Sequence, residues 1–330
     1  MMRIENVTAQ YQTITGPVVS VNNVNFENRD NEIFGIAGES GCGKSTLLKV
    51  LYDIMNYPLE IKSGRVVLTY KDHDGKEKTL QSGEINKAWW DAISYVPQAA
   101  MSVLNPVYRI DEQFYELFRR HRKGEGKKEM HERVVQYLNE LNLPTDILKS
   151  YPHQLSGGMR QRVVIAMATF LQPSMIFADE PTTALDVVVQ KNILMMLMDL
   201  QSKMKNTLVI VSHDMGVHYQ ITNRMAIMYS GSLMEIGPTE EIFANPLHPY
   251  TQMLINALPK VGDKSKREGI AGGPPSLRTP PPGCRFAPRC KMACPECSKS
   301  VPEFVQVAPG RYAACHFLKK MEGGKDLNAK

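Results

Sequence analysis

Several features are missing from this sequence, and each absence narrows what it can be. No apolar run reaches the roughly 18 residues of a membrane-spanning helix, and the opening Met1-Met2-Arg3-Ile4-Glu5-Asn6 lacks the apolar stretch of a secretory leader. The chain is therefore expected to stay in the cytoplasm. No repeat of fixed period is present, which argues against solenoids and propellers. Charge of one sign is also lacking: 39 Lys and Arg face 34 Asp and Glu, a net +5 over 330 residues. That balance does not demand nucleic acid and is compatible with a partner or membrane surface of negative potential. Cysteine is scarce until the last fifth of the chain. Cys42 stands alone, and then Cys284, Cys290, Cys294, Cys297 and Cys315 crowd together. In a reducing compartment such a cluster reads as metal binding before disulfides.

What remains is an ordinary globular composition, 43% hydrophobic and 22% charged, in a chain longer than the usual single domain. A main domain with an appendage is expected. Strand-like runs occupy Arg3 to Ala9, Val18 to Phe26 and Ile33 to Ala37, the last entering a glycine-rich turn, and a helix is predicted from about Ser45 to Asn56. Between Asp111 and Leu143 the period becomes helical, with Phe114, Leu117 and Phe118 on one face and Val134, Leu138 and Leu141 on another. Strands at Met175 to Ala178 and Thr207 to Val211 then alternate with a helical stretch from Val188 to Lys203, the pattern of a mostly parallel sheet covered by helices. Near Pro259 the composition turns to Lys, Gly and Pro, which reads as a linker over 259–283.

The strongest motif is Gly38-Glu39-Ser40-Gly41-Cys42-Gly43-Lys44-Ser45-Thr46, which follows a strand and opens a helix. Glycines let backbone N–H groups turn inward around phosphate oxygens, and the helix N-terminus adds positive potential. Lys44 supplies a mobile cation and Ser45 a hydroxyl for Mg²⁺. A second site is Met175-Ile176-Phe177-Ala178-Asp179-Glu180, an apolar strand ending in two acids. Asp179 would hold Mg²⁺ directly or through water, and Glu180 would polarise an attacking water, because phosphoryl transfer needs positioning and charge stabilisation.

With these motifs on one chain, Leu155-Ser156-Gly157-Gly158-Met159-Arg160-Gln161 resembles the signature motif of the nucleotide-binding subunits of ABC transporters. The resemblance implies a P-loop NTPase fold in the α/β class: a mostly parallel sheet core, an antiparallel β subdomain, a helical subdomain at about 100–165, and a small irregular cysteine-rich C-terminal extension. It divides the chain into an ATPase domain over 1–258, the linker, and the extension over 284–330. It implies that ATP is sandwiched between two such subunits, with Ser156, Gly157 and Gly158 capping the γ-phosphate of the nucleotide held by the other chain. Gln98 resembles the glutamine that senses Mg²⁺ and the permease, Asp186 the loop that contacts the opposite monomer, His213 the switch histidine at the γ-phosphate, and Tyr11 the aromatic that stacks on adenine. With Glu180 and His213 both present, a competent ATPase is expected.

Asn245-Pro246-Leu247-His248-Pro249-Tyr250-Thr251 and Gly283-Cys284-Arg285-Phe286-Ala287-Pro288-Arg289-Cys290 narrow the resemblance to subunits of oligopeptide and dipeptide importers. Members with this tail can bind a [4Fe–4S] cluster, and the family's spacing falls on Cys284, Cys290, Cys297 and Cys315. Cys294 with Cys297 also has zinc spacing, so Zn²⁺ stays open, as do free thiols or a disulfide staple. The implied partners are a second ATPase subunit, identical or a sister chain, two membrane permease subunits and an extracytoplasmic solute-binding protein, with the chain peripheral on the cytoplasmic face of the membrane. Peptides are the expected cargo, with oligosaccharides or nickel as alternatives. A soluble ABC ATPase acting on nucleic acid is the more distant reading, suggested only by the basic run Arg119 to Lys128, which is expected to be a solvated link between helices.

Overall fold

The structure is a computed structural model that describes residues 1–72, 74–98, 103–121, 126–258 and 272–321. Two compact units are present, one comprising Met1–Leu68, Gln81–Gly83 and Val211–Lys330, the other Thr69–Leu80 and Glu84–Ile210.

In the first unit, β1 (Met2–Tyr11) pairs antiparallel with β2 (Val18–Glu27) on one side and with β4 (Leu59–Lys71) on the other. β3 (Ile33–Ala37) is buried at every position and runs parallel to β9 (Arg224–Tyr229), with Phe34 opposite Arg224 and Ala37 opposite Ile227. A continuous apolar run of this kind marks a strand covered on both faces. β10 (Ser232–Pro238) pairs antiparallel with β9, and β12 (Arg311–Ala313) and β11 (Val305–Ala308) extend the same sheet. The tail is thus less irregular than its composition suggests. It takes up a sheet edge instead of building a core of its own, and Cys284 and Phe286 enter the buried cluster of Met234, Tyr229 and Tyr250. Phe286 meets Tyr229 edge-on at 5.2 Å between ring centroids. Full burial of a Phe stabilises by about 2 to 3 kcal/mol, which anchors a segment poor in apolar residues.

The helix α1 (Lys44–Leu51) is shorter than its predicted extent. Asp53 adopts φ +62°, its N–H bonds to the Val50 carbonyl, and the Ile54 N–H reaches the Lys49 carbonyl. This is a Schellman stop, and the apolar pattern beyond Leu51 does not reveal it.

In the second unit, β5 (Glu77–Gln81) lies beside the end of β4, and β6 (Ile93–Val96) runs parallel to β7 (Met175–Asp179), with Tyr95 opposite Phe177 and Val96 opposite Ala178. β8 (Thr207–Ser212) lies beside β7 and carries the chain back into the first unit at Val211. The expected helical insertion is formed by α2 (Ile110–His121), α3 (Lys127–Glu140) and α4 (Gly157–Thr169). Phe114, Phe118 and Tyr137 surround Phe170, with centroids at 5.6, 6.1 and 5.6 Å. Helix α5 (Val187–Met204) follows β7. Of the basic run, Arg119 and Arg120 pair with Glu116 on an exposed helix face, while residues 122–125 lie outside the described residues. So do residues 99–102, just after Gln98, and 259–271 of the linker. Among the described residues no helix is long and apolar enough to cross a membrane.

Candidate functional site

In the first unit, β3 ends at Ala37 and the chain turns through Gly38–Gly43 into α1. Gly43 has φ +105°, and a Cβ there would run into the Ser20 carbonyl oxygen, so both conformation and close approach require glycine. No side chain caps α1, which leaves its first-turn N–H groups directed out of the helix end as donors for an anion. Lys44 is buried, and its ammonium donates to the carbonyl oxygens of Gly38 at 2.7 Å and Glu39 at 2.9 Å. Ser40 and Gly41 are exposed on the turn, and Ser45 is half-buried at the start of α1. Cys42 is buried, its thiol pKa is raised by burial, and its carbonyl accepts the Gly231 N–H at 2.7 Å. It therefore contributes backbone, not thiol, to the turn. The Tyr11 hydroxyl lies 3.3 Å from Thr46 Oγ1, which places the end of β1 against α1. His213 is exposed in the loop between β8 and α6 (Met215–Ile221), whose N-terminus is capped by Asp214 accepting from the Gly216 N–H at 2.7 Å.

In the second unit the two acids are held differently. Asp179 is buried at the end of β7 and accepts a hydrogen bond from the Tyr95 hydroxyl at 3.0 Å. Glu180 has φ +46°, a left-handed conformation rare for a residue with a side chain. Its Oε2 accepts from Gln98 Nε2 at 3.1 Å and from Thr183 Oγ1 at 2.8 Å, so the carboxylate is oriented by two neutral donors. Ser156 is the N-cap of α4 and accepts from the Met159 N–H at 3.2 Å, while Arg160 braces the preceding turn through the Leu155 carbonyl at 3.0 Å. Gly157 is exposed beside it, and a Cβ on Gly158 would lie 2.5 Å from Val189 Cγ1 at the start of α5. Asp186 caps α5 by accepting from the Val189 N–H at 2.9 Å, and Val187 and Val188 just beyond it are exposed.

The tail brings Cys284, Cys290, Cys294, Cys297 and Cys315 to the wall of one cavity of about 30 Å³, together with His248 and His316. None of the five is in a disulfide, and the Cys294 and Cys297 sulfurs lie 3.4 Å apart. Burial pushes the Cys315 thiol up to about 11 and raises Cys284 and Cys290. Among the described residues no three His, Cys, Asp or Glu side chains converge as a single metal ion would require.

Sequence patterns missed three features. Glu39 inside the phosphate-type turn accepts both guanidinium nitrogens of Arg289, at 2.7 and 3.0 Å, and its N–H donates to the Tyr250 hydroxyl at 3.0 Å. Glu235, fully buried, accepts from Arg311 and from the Leu247 and His248 amides. His218 sits under β3 with Nε2 3.1 Å from the Ser212 carbonyl, and burial lowers its pKa from 6.5 to about 4. None of these carries a local signal, because each depends on a contact with a distant segment.

A glycine turn between a buried strand and a helix, on a chain that also carries an apolar strand ending in Asp-Glu, defines a P-loop ATPase. The family model described as ABC transporter matches residues 21–183, and the one described as Oligopeptide/dipeptide transporter, C-terminal region, matches 234–297. The chain is 38% identical over 322 residues to the dipeptide transport ATP-binding protein DppD of Caldanaerobacter subterraneus subsp. tengcongensis, covering 97% of this chain and 98% of that one. It is 36% identical over 318 residues to the oligopeptide transport ATP-binding protein OppD of Salmonella typhimurium, covering 96% and 93%. Among solved structures, a dimeric ATP-binding cassette in a post-hydrolysis state with ADP and Pi matches with TM-score 0.62 and 29% identity, over 72% of this chain and 99% of that one. The chain belongs to the ABC transporter family, as an ATP-binding subunit of its oligopeptide/dipeptide branch, and is an ATPase.

Proposed function

We propose that this chain hydrolyses ATP to energise import of peptides through a membrane permease, working peripherally at the cytoplasmic face of the membrane. The observation that carries the cargo is coverage: relatives whose names specify dipeptide or oligopeptide transport align along nearly the whole chain, including the region 234–297. The turn Gly38–Thr46 holds the phosphates through its N–H groups and Lys44, with Gly38, Ser40, Gly41, Cys42 and Gly43 contributing backbone. Ser45, Gln98 and Asp179 hold Mg²⁺. Glu180 polarises water for attack on the γ-phosphate, His213 contacts that phosphate, and Tyr11 stacks on adenine. The Gln98 and Thr183 bonds fit this role for Glu180, since they orient the carboxylate without adding a cation that would weaken it as a proton acceptor. Ser156, Gly157, Gly158 and Asp186 serve the nucleotide of a second copy or a sister chain. The domain limits that go with this reading are 1–258 for the ATPase, 259–283 for a connection and 284–330 for the extension.

The same proposal assigns Cys284, Cys290, Cys297 and Cys315 to a [4Fe–4S] cluster. A single ion needs thiolates converging at about 2.3 Å from one point, whereas a cubane spreads four thiolates around a larger body. The support for this assignment is that all four thiols line one cavity and that four thiolates are the donor set such a cluster takes. When bound, the cluster would supply a structural staple to the tail.

The test is to co-express the chain with its permease and binding protein, purify anaerobically, analyse iron and acid-labile sulfide, and measure solute uptake in proteoliposomes. ATP-driven dipeptide uptake with iron and sulfide is the expected result. Uptake of nickel or oligosaccharide would reassign the cargo, zinc would reassign the tail, and nucleic acid retained without permease would overturn the function.

A further inference from the structure

We propose that the C-terminal extension is a clamp on the nucleotide-binding turn, with Arg289 as the positioning residue that sets affinity for ATP. This rests on the reading that Gly38–Thr46 holds the nucleotide. Arg289 lies on the short turn Ala287–Arg289, and the neighbouring Phe286 is sunk in the core with Tyr229 and Tyr250. From that anchor its guanidinium forms two parallel bonds to the Glu39 carboxylate, at 2.7 and 3.0 Å, and a third to the Tyr229 hydroxyl at 3.1 Å. The pair is largely withdrawn from water, with Arg289 6% and Glu39 25% exposed at the side chain. Bidentate, charge-assisted geometry of this kind fixes orientation as well as supplying attraction.

Glu39 is the second residue of the phosphate turn, and every polar group of it is occupied. Its N–H is held by Tyr250, its carboxylate by Arg289, and its carbonyl accepts from the Lys44 ammonium at 2.9 Å. The extension therefore reaches, through one residue, the backbone that seats the phosphate-binding lysine. A second contact runs alongside. Arg285 donates to the Ser230 carbonyl, and the N–H of the next residue, Gly231, bonds to the Cys42 carbonyl of the same turn at 2.7 Å. Both arginines flank cysteines of the tail, so the segment that carries those thiols also holds the turn.

The arrangement answers an electrostatic problem. A carboxylate on a turn built to attract a triphosphate repels the ligand unless a cation neutralises it. Arg289 does so from outside the turn, leaving Lys44 for the nucleotide. Removing Arg289 frees the turn and exposes the phosphates to an uncompensated negative charge.

The experiment measures equilibrium ATP binding by the full-length chain, and KM for ATP and kcat of the assembled importer. Arg289→Ala is expected to weaken binding and raise KM roughly tenfold, with kcat at saturating ATP within about twofold of wild type. Arg289→Lys keeps the charge without the fork and should fall between the two. Adding Glu39→Gln to Arg289→Ala removes the repelling charge and should recover most of the lost affinity. Lys44→Ala, which should abolish binding, is the control for the site itself. If wild type binds ATP, Lys44→Ala does not, and Arg289→Ala matches wild type, the clamp is wrong. A double variant as weak as Arg289→Ala also overturns it, because general damage to the tail does not depend on the charge at residue 39. Wild-type protein that fails to bind ATP would overturn the nucleotide site along with the clamp.

Discussion

Replacing Arg311 with Ala should destabilise the first unit and loosen the tail, and the structure sets the size of the effect. The Arg311 side chain is 9% exposed and Glu235 is completely buried, with a guanidinium-to-carboxylate distance of 2.9 Å. Arg311 also donates to the Asn245 carbonyl at 2.7 Å, and Glu235 keeps two further donors, the Leu247 and His248 amides. Breaking a buried pair by removing one partner costs roughly 3 to 5 kcal/mol, because the remaining charge has neither water nor a counter-ion. The two amides soften that loss, so about 3 kcal/mol is expected. With a urea slope of about 3 kcal/mol/M, the unfolding midpoint should fall by about 1 M. A second readout is local: Arg311 opens β12, and half-buried Cys315 follows two residues after that strand. Cys315 should react with a thiol reagent faster in the variant, below the unfolding transition. Combining Arg311→Met with Glu235→Gln should restore most of the stability, since neither charge then remains. A midpoint lowered by less than about 0.3 M would refute the argument that this pair docks the tail, as would a double variant no better than the single one.

Glu180→Gln should bind ATP normally and lower turnover of the assembled complex by at least about 100-fold, read as phosphate release; near-normal turnover would remove Glu180 from the mechanism. Gly158→Ala places a methyl group 2.5 Å from Val189 Cγ1 and should cost about 1 to 3 kcal/mol through overpacking, seen as a lower melting temperature that Val189→Ala relieves. Acid should destabilise the fold through His218, whose pKa is lowered from 6.5 to about 4. Between those values the unfolded chain binds a proton that the folded chain refuses, so the stability this residue contributes is intact above pH 6.5 and lost as pH falls towards 4. At about 1.4 kcal/mol per unit the loss is about 3 kcal/mol. Urea midpoints taken from pH 7 to pH 4.5 should show this fall, flattened in His218→Gln; parallel curves for the two proteins would contradict it.

Much of the site is local chemistry and was open to reading in the chain itself. The turn Gly38–Thr46 needs glycine where the backbone is left-handed and crowded, a lysine one position further, and a hydroxyl next to it, all within nine consecutive residues. Met175 to Ala178 are apolar because the strand Met175–Asp179 is buried at every position, and the acids Asp179 and Glu180 mark where it ends. The helical period over 111–143 placed Phe114, Phe118, Val134 and Leu138 in the core, where they are found.

The tertiary structure alone decided the rest. Arg289 and Glu39 are 250 residues apart, and neither arginine nor glutamate at those positions announces a partner. Their bond exists because Phe286 and the cysteine segment are buried against Tyr229 and Tyr250, which brings the tail alongside the glycine turn Gly38–Thr46. Arg311 and Glu235 are likewise paired by the addition of β12 to β10. Short-range motifs depend on backbone geometry that a few neighbouring residues dictate. A buried ion pair depends on which surfaces the whole chain removes from water, and that is settled only when the chain has folded.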